Sequence, residues 1–124
     1  MKCLFCDLQR VLEKIVYQNE YIYCIYDSFP VTKGHILIIS KRHVENYFLL
    51  NKEELIAVND ALLACKKILD KEYKPTGYNI GVNNGKSAGQ TIMHLHLHLI
   101  PRYDFDVDDP RGGVRGVIPE KQKY

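Results

Sequence analysis

Three histidines alternate with leucine near the end of the chain, in the order His94, His96 and His98. Successive side chains of a β-strand point to opposite faces, so the leucines would enter a core while the imidazoles share the other face, roughly 6 to 7 Å apart. An imidazole, with an unperturbed pKa of about 6.5, can be nucleophile, acid, base or hydrogen-bond donor near neutral pH. A solvated strand that is merely rich in histidine is the plain alternative, but three rings in register favour a chemical role.

A glycine-punctuated segment, residues 83–91, leads directly into these histidines. Its glycines permit tight turns, and backbone N–H groups in such turns can converge on an anion. Taken alone, the segment is more typical of an ordinary hairpin connection. Joined to the histidine row, it predicts donors placed around the group that the imidazoles attack, as phosphate transfer requires.

Runs of aromatic and β-branched residues predict the strands that would carry these groups. The predicted strands cover residues 21–26, 34–40, 77–82 and 91–100, with a loop at 83–90. Between the second and third, apolar residues recur three and four positions apart from Lys52 to about Tyr73, which predicts an amphipathic helix. Asn51 fits its N-cap with Glu54 as capping-box partner, and Pro75 bars its continuation.

Strands, one long helix and then further strands predict an α+β fold with an antiparallel sheet, whose exposed edge a partner chain could cover. The tail from Tyr103 contains several aspartates, glycines and a proline, and we expect it to be irregular and at the surface. At 124 residues, the chain is expected to form one domain.

The composition argues against several classes of protein. Apolar residues make up 46% and charged residues 26%, as in ordinary globular domains, which disfavours a disordered or fibrous chain. The formal charge is +2 and no block of lysine and arginine occurs, so extended nucleic-acid binding is not expected. No apolar run approaches the roughly 20 residues of a membrane helix, and the first residues do not look like a secretory signal. We therefore expect a cytoplasmic protein without membrane contact.

The four cysteines fall into two kinds. Cys24 and Cys65 each lie in an apolar segment, where thiols commonly act as small core residues. Cys3 and Cys6 form a Cys-x-x-Cys pair, which in a reducing compartment is better interpreted as metal-binding or merely structural than as a disulfide.

The segment from Gly89 to Arg102 resembles the signature of the histidine triad (HIT) family, in which three histidines alternate with apolar residues after a Gly-Gln pair. The likeness continues upstream through residues 33–39 and the Ser-Lys-Arg-His that ends at His43. It implies a HIT-like α+β fold: an antiparallel sheet of about five strands with one long and one short helix. The single domain would span residues 1–124, with an amino-terminal segment at 1–14 and a tail at 103–124.

The resemblance also implies nucleotide chemistry at an α-phosphate. His96 matches the nucleophile that forms a nucleotidyl-histidine intermediate, while His98 and His35 match residues that contact phosphate or orient the reacting group. Asp27 falls where the family commonly has a ribose-binding residue. The other implied nucleotide or phosphate contacts are Asn83, Gly89, Gln90 and Thr91.

The implied activity is that of a hydrolase or nucleotidyltransferase acting on a purine nucleotide conjugate, without an organic cofactor. Dinucleoside polyphosphates and nucleoside phosphoramidates both remain candidate substrates, and phosphorolysis stays open beside hydrolysis. Transfer of uridylyl groups to sugar phosphates is disfavoured by the third histidine and the short chain. A non-catalytic nucleotide or metal sensor that uses the same histidine cluster is the alternative.

Two further features follow from the resemblance. Some HIT proteins hold a structural zinc with an amino-terminal pair like Cys3 and Cys6, a histidine at the place of His43 and the first triad histidine, here His94; otherwise these are plain small and solvated residues. HIT proteins are also commonly homodimers whose sheets join across a two-fold axis.

The tail contains three arginines, which either add charge near a polyphosphate or pair with neighbouring aspartates: Arg102, Arg111 and Arg115.

Overall fold

The structure is a computed structural model that describes residues 2–124. Five antiparallel strands form one sheet, with the neighbours in the order β1-β2-β3-β5-β4. The strands are β1 (Ile15–Gln18), β2 (Ile22–Tyr26), β3 (Ile36–Ser40), β4 (Gly77–Val82) and β5 (His96–Arg102). A short helix, α1 (Leu4–Leu8), precedes β1, and a long helix, α2 (Lys52–Glu72), connects β3 to β4. The predicted α+β architecture is confirmed.

Helix α2 begins and ends as its sequence predicts. The Asn51 side chain accepts a hydrogen bond from the Glu54 amide, and the Glu54 carboxylate accepts one from the Asn51 amide, which completes the capping box. The helix packs against the sheet with an apolar face that includes Ala61 and Leu69. Cys24 and Cys65 are fully buried in this core, as expected. Within residues 2–124, no helix has both the length and the apolar character to cross a membrane.

The two faces of the sheet have different roles. Leu97 and Leu99 of β5 point into the core beneath α2, as the alternating pattern predicts. The opposite face carries a second, smaller apolar cluster, which the side chain of Phe5 from α1 covers. His96 and His98 belong to this second face, because they lie opposite Ile39 and Leu37 of β3.

The last strand differs from the prediction of residues 91–100. It begins at His96, because the Leu95 amide leaves the ladder: the Leu95 carbonyl still accepts from the Ser40 amide at 3.3 Å, but its amide donates to the Val44 carbonyl at 2.7 Å instead of to β3. It continues to Arg102 through Pro101. The pairing of β5 with β3 ends at Leu99, and beyond that point β5 pairs with β4 alone within residues 2–124. Proline is tolerated there because no neighbouring strand of that range on the β3 side needs its missing N–H.

Smaller differences concern short segments. Strand β1 is a four-residue edge strand directly after the 1–14 segment and was not predicted. Strands β2 and β3 start one and two residues later than expected. The loop at 83–90 contains a single 3-10 turn at Lys86–Ala88 between Gly85 and Gly89, both with positive φ. The tail contains two 3-10 turns, Gly113–Val117 and Pro119–Lys121, joined by irregular chain.

A glycine sets the position of the turn that ends at His35. Gly34 has a φ of +92°, and a Cβ there would lie 2.9 Å from Leu69 Cδ2 on α2. The chain can therefore pass against the helix here only because glycine has no side chain and accepts this backbone conformation. The next residue, His35, is carried to the site at 2% exposure.

Candidate active site

His96 is held in one tautomer by a backbone carbonyl. Its Nδ1 lies 2.8 Å from the carbonyl oxygen of His94, an acceptor, so Nδ1 carries the proton and donates it. In a neutral ring the lone pair is then on Nε2, which makes no hydrogen bond to any of residues 2–124. His96 thus presents a half-buried nitrogen nucleophile of defined orientation.

His98 and His35 form a hydrogen-bonded chain beside it. The Val31 amide donates to His35 Nδ1 at 3.0 Å, so that nitrogen carries no proton. The proton of neutral His35 is then on Nε2, 2.9 Å from His98 Nδ1. His98 accepts at Nδ1 and so keeps its proton on Nε2. The hydrogen-bonded series therefore ends at the Nε2–H donor of His98, whose ring centroid is 5.4 Å from that of His96.

Asp27 closes this chain at the end of β2. One carboxylate oxygen accepts from the Phe29 amide at 2.9 Å, and the other lies 3.5 Å from His35 Nε2. Burial lowers the pKa of His35 below its ordinary value, and Asp27 opposes the shift in part. Burial also lowers the pKa of His98, helped by the charges that His35 and His96 would carry. Both rings are therefore neutral near pH 7.

A groove of about 420 Å³ adjoins these groups. Four of the predicted site residues line it: Asp27, His35, Asn83 and His98. Its apolar walls come from Phe29, Val31, Ile80, Ile100 and Val114. Gly81 lies opposite His98 on β4, and a Cβ added there would meet no atom within 4 Å, so the groove is open beside the imidazole.

The glycine-rich loop is shaped from inside by Gln90. This residue is buried: its Oε1 accepts from the Gly85 amide at 2.8 Å, and its Nε2 donates to the carbonyls of Glu45 and Ile92 at 2.7 and 3.1 Å. Its side chain thus braces the loop in this structure, and a phosphate contact by that side chain stays a prediction. Gly89 and Thr91 are exposed on the loop surface, where their roles also stay predictions.

Cys3, Cys6, His43 and His94 come together, with their four donor atoms within 4.8 Å of one another. Measured distances are 3.3 Å for Cys3 Sγ to His94 Nδ1, 3.3 Å for Cys6 Sγ to His43 Nδ1 and 3.1 Å between the two Nδ1 atoms. A tetrahedron with metal–nitrogen bonds of about 2.0 Å and metal–sulfur bonds of about 2.3 Å spaces its ligand atoms roughly 3.3 to 3.8 Å apart. The donor set fits a zinc ion in both chemistry and spacing.

His94 is oriented for this cluster by the hydrogen bond on its other nitrogen. Nε2 donates to the Ser40 carbonyl at 2.6 Å, which leaves Nδ1 unprotonated toward the cysteines. Burial lowers the pKa of His94, and the neutral form is the one that binds metals. The row of three histidines is therefore divided: His94 faces the cysteines, His98 lines the groove, and His96 lies beside His98 without lining the groove itself.

Two of the three tail arginines are bonded within the chain through their side chains. Arg102 forms a two-pronged ion pair with Asp106 at 2.8 Å for each contact, as the ion-pair alternative predicts. Arg115 instead donates to the carbonyls of Lys121 and Gln122. Neither residue lines the groove beside His98.

Sequence reasoning missed two residues of this region, Phe5 and Val114. Phe5 contacts the His96 ring at 4.9 Å between centroids, and Val114 reaches the groove from the tail. No local motif marks either residue, since each arrives through packing between segments far apart in the chain. The Cys-x-x-Cys pair, which frames Phe5, was the one available signal.

Comparison with known proteins agrees with this arrangement. A family profile described as "HIT domain" matches residues 9–105, most of the chain. The chain belongs to the HIT family. Among HIT relatives it is similar to Protein hit of Bacillus subtilis, 36% identical over 103 residues, which are 82% of this chain and 71% of that protein.

Two relatives of this HIT protein have names that state an activity. The bis(5'-adenosyl)-triphosphatase of Dictyostelium discoideum is 30% identical over 96 residues, 77% of this chain and 64% of that protein. Adenylylsulfatase HINT3 of Arabidopsis thaliana is 32% identical over 106 residues, 84% of this chain and 54% of that protein.

Solved HIT structures share the fold. A HIT family protein from Bacillus anthracis superimposes with a TM-score of 0.77 at 38% identity, covering 84% of this chain and 75% of the other. A Zn-bound histidine triad family protein from Mycobacterium smegmatis gives a TM-score of 0.75 at 31% identity, covering 86% of this chain and 78% of the other. The predicted HIT-like fold is confirmed.

The lowered pKa of His35 predicts a pH-dependent stability for this HIT protein. The unfolded chain takes up this proton near pH 6.5, but folded His35 takes it up only at lower pH. The stabilisation is therefore complete above pH 6.5 and is lost as the pH falls below it. The thermal midpoint should decrease between pH 7 and 5.5, and His35→Gln, which can still bond Val31 and His98, should flatten that decrease. Equal slopes for both proteins would contradict the assignment.

Proposed function

We propose that the chain is a nucleotide hydrolase or nucleotidyltransferase that cleaves its substrate at the α-phosphate through a covalent intermediate on His96. The observation that carries this proposal is the fixed tautomer of His96, which leaves the lone pair on Nε2 of a ring whose centroid is 5.4 Å from that of His98. Relatives named for the hydrolysis of bis(5'-adenosyl) triphosphate and of an adenylyl sulfate support nucleotide chemistry.

In the first half-reaction, His96 Nε2 attacks the α-phosphorus and forms a nitrogen–phosphorus bond. The bond from phosphorus to the leaving group breaks, and its electron pair departs with that group. The ring becomes cationic, and its retained Nδ1 proton is stabilised by the His94 carbonyl. The His98 Nε2–H stabilises developing charge on the phosphoryl oxygens by hydrogen bonding.

In the second half-reaction, water attacks the same phosphorus. The nitrogen–phosphorus bond breaks, its electron pair returns to Nε2, and the nucleotide is released together with one proton from the water. Neutral His96 is restored. Inorganic phosphate in place of water would give phosphorolysis by the same steps.

We further propose a purine nucleotide conjugate as substrate, either a dinucleoside polyphosphate or a nucleoside phosphoramidate. Asp27, with a carboxylate oxygen near the groove, is assigned to the ribose hydroxyls, and Asn83 to phosphate or leaving group. The apolar walls of the groove suit flat, weakly polar groups. These assignments are supported by the shared lining of the groove and by the family resemblance.

The nucleophile assignment predicts that His96→Ala loses turnover by a factor on the order of 10⁴ or more while nucleotide still binds. The measurement is product formation from diadenosine tetraphosphate, an AMP-lysine analogue and an ADP-sugar, with AMP binding by calorimetry. After the reaction is quenched, mass spectrometry should detect an AMP adduct on the wild type and none on the variant. Retained single-turnover activity in His96→Ala refutes the mechanism. Absence of turnover by the wild type on every substrate favours the sensor alternative.

We propose that Cys3, Cys6, His43 and His94 hold a structural zinc ion, which would supply a fixed link between the amino terminus and the segment before β5. The spacing of the donors and the Zn-bound relative from Mycobacterium smegmatis support this proposal. The ion takes no part in the chemical steps.

Protein purified without chelator should contain one zinc per chain, measured by inductively coupled plasma mass spectrometry. Cys6→Ser should lose the metal and lower the thermal midpoint, because one of four ligands is gone. Cys65→Ser is the control for metal content and should keep the zinc, since that thiol is buried in the core away from the cluster. Absence of stoichiometric zinc from the wild type rejects the site.

We propose that the chain forms a homodimer through β4, which within residues 2–124 has a sheet neighbour on one side only. Ile80 of β4 and Leu55 of α2 are 49% and 38% exposed and line one shallow hollow. Light scattering should give a dimer mass for the wild type and a monomer for Ile80→Glu. Leu12→Glu, exposed at the other edge of the sheet, should stay dimeric. A wild type that is monomeric at every concentration contradicts the proposal.

A further inference from the structure

We propose that Phe5 is a positioning residue for the nucleophile, and that the Cys3, Cys6, His43 and His94 cluster acts on the reaction by holding Phe5 against His96. This inference rests on the proposed function, because it assigns His96 as the reacting group. It gives the amino-terminal segment a role in the chemistry and not only in stability.

Phe5 forms an aromatic wall for His96. Its ring is 3% exposed and lies 4.9 Å from the His96 ring between centroids, at an interplanar angle of 64°. It also meets the His94 ring edge-on at 6.0 Å. Such edge-to-face contacts resist rotation of either ring and exclude water from one side. The half-buried imidazole of His96 is therefore packed on the side from which α1 approaches.

Helix α1 depends on outside contacts for its position. It has five residues, Leu4–Leu8, and its N-cap Cys3 makes no side-chain capping bond. A helix this short has little stability of its own. The apolar packing of Phe5 and Leu8 and a hydrogen bond from the C-cap Gln9 to the Lys41 carbonyl tie it to the sheet. Two further ties lie directly at Phe5: the flanking cysteines contact His43 and His94, and the Phe5 carbonyl accepts a hydrogen bond from the buried Tyr23 hydroxyl. A metal ion joins all four donors at once, so it would fix Phe5 more firmly than separate thiol–imidazole contacts.

The cluster reaches His96 by a second route, through the backbone of His94. The same residue that gives Nδ1 to the cluster gives its carbonyl oxygen to His96 Nδ1. The His94 ring is fixed at its other end by the Ser40 carbonyl. Phe5 thus contacts the His96 ring, and the His94 carbonyl holds its Nδ1. His94 is a member of the cluster, and Phe5 lies between its two cysteines in the sequence.

The expected result is a loss of rate without a loss of binding. Phe5→Ala should slow formation of the His96 adduct about 10- to 100-fold, as small misplacements of reacting groups do, with KM nearly unchanged. Phe5→Leu, which keeps apolar volume but not the ring, should fall between. Leu4→Ala is the matched control, because Leu4 belongs to the same turn and is 54% exposed; it should react like the wild type.

Two-bond ¹H–¹⁵N spectra of the imidazoles provide a readout that a purely structural role would not move. The wild type should show a single Nδ1–H tautomer for His96, and Phe5→Ala a mixture of tautomers. Removal of metal by a chelator should produce the same mixture in the wild type. All measurements are made at a temperature where circular dichroism shows each protein folded.

Several results would overturn the inference. An unchanged adduct rate and one tautomer in Phe5→Ala would do so, and if that variant does not fold, the same result in Phe5→Leu decides. A chelated wild type with an unaltered His96 spectrum would remove the role of the cluster. A wild type that forms no adduct defeats the proposed function, whereas the tautomer spectra still decide whether Phe5 and the cluster position His96.

Discussion

The hydrogen bond from His96 Nδ1 to the His94 carbonyl determines what the rest of the site can do. An imidazole without such a partner exchanges its proton between two nitrogens and rotates about its side-chain bonds. Here one nitrogen is committed to the backbone, so the other is a lone pair with a known direction. Alternation along β5 then places His98 on the same face, where its donor serves the same small volume.

Burial gives the site its electrostatic character. His35 and His98 are withdrawn from water, which makes their charged forms costly and holds their pKa values down. Asp27 stands close enough to temper this effect without reversing it. The two imidazoles are therefore neutral dipoles, which can face a negatively charged phosphoryl group without the cost of burying a positive charge.

The division of labour among the three triad histidines could be foreseen only in part. Leucines in the core and imidazoles on the other face follow from strand periodicity, and helix α2 follows from its stripe and its capping box. The start of β5 at His96 does not, because it depends on the Val44 carbonyl, which takes the Leu95 amide out of the ladder. The inward turn of Gln90 was equally hidden, since the carbonyl of Glu45 that it bonds lies 45 residues away in the chain. Periodicity describes one element at a time, whereas these features arise where elements meet.

The amide of Val31 has an effect well beyond its own hydrogen bond. By occupying His35 Nδ1, it gives the chain of imidazoles a direction: each N–H points from the protein interior toward the groove. Reversing that order would leave the amide facing a second N–H, so the polarity is built into the backbone. While both rings remain neutral, the Nε2–H of His98 can donate a hydrogen bond but cannot transfer its proton, because the transfer would leave an imidazolate. The phosphate leaving group of an anhydride is a stable anion and can depart without a proton. The amine leaving group of a phosphoramidate must take its proton from the solvent or already carry it.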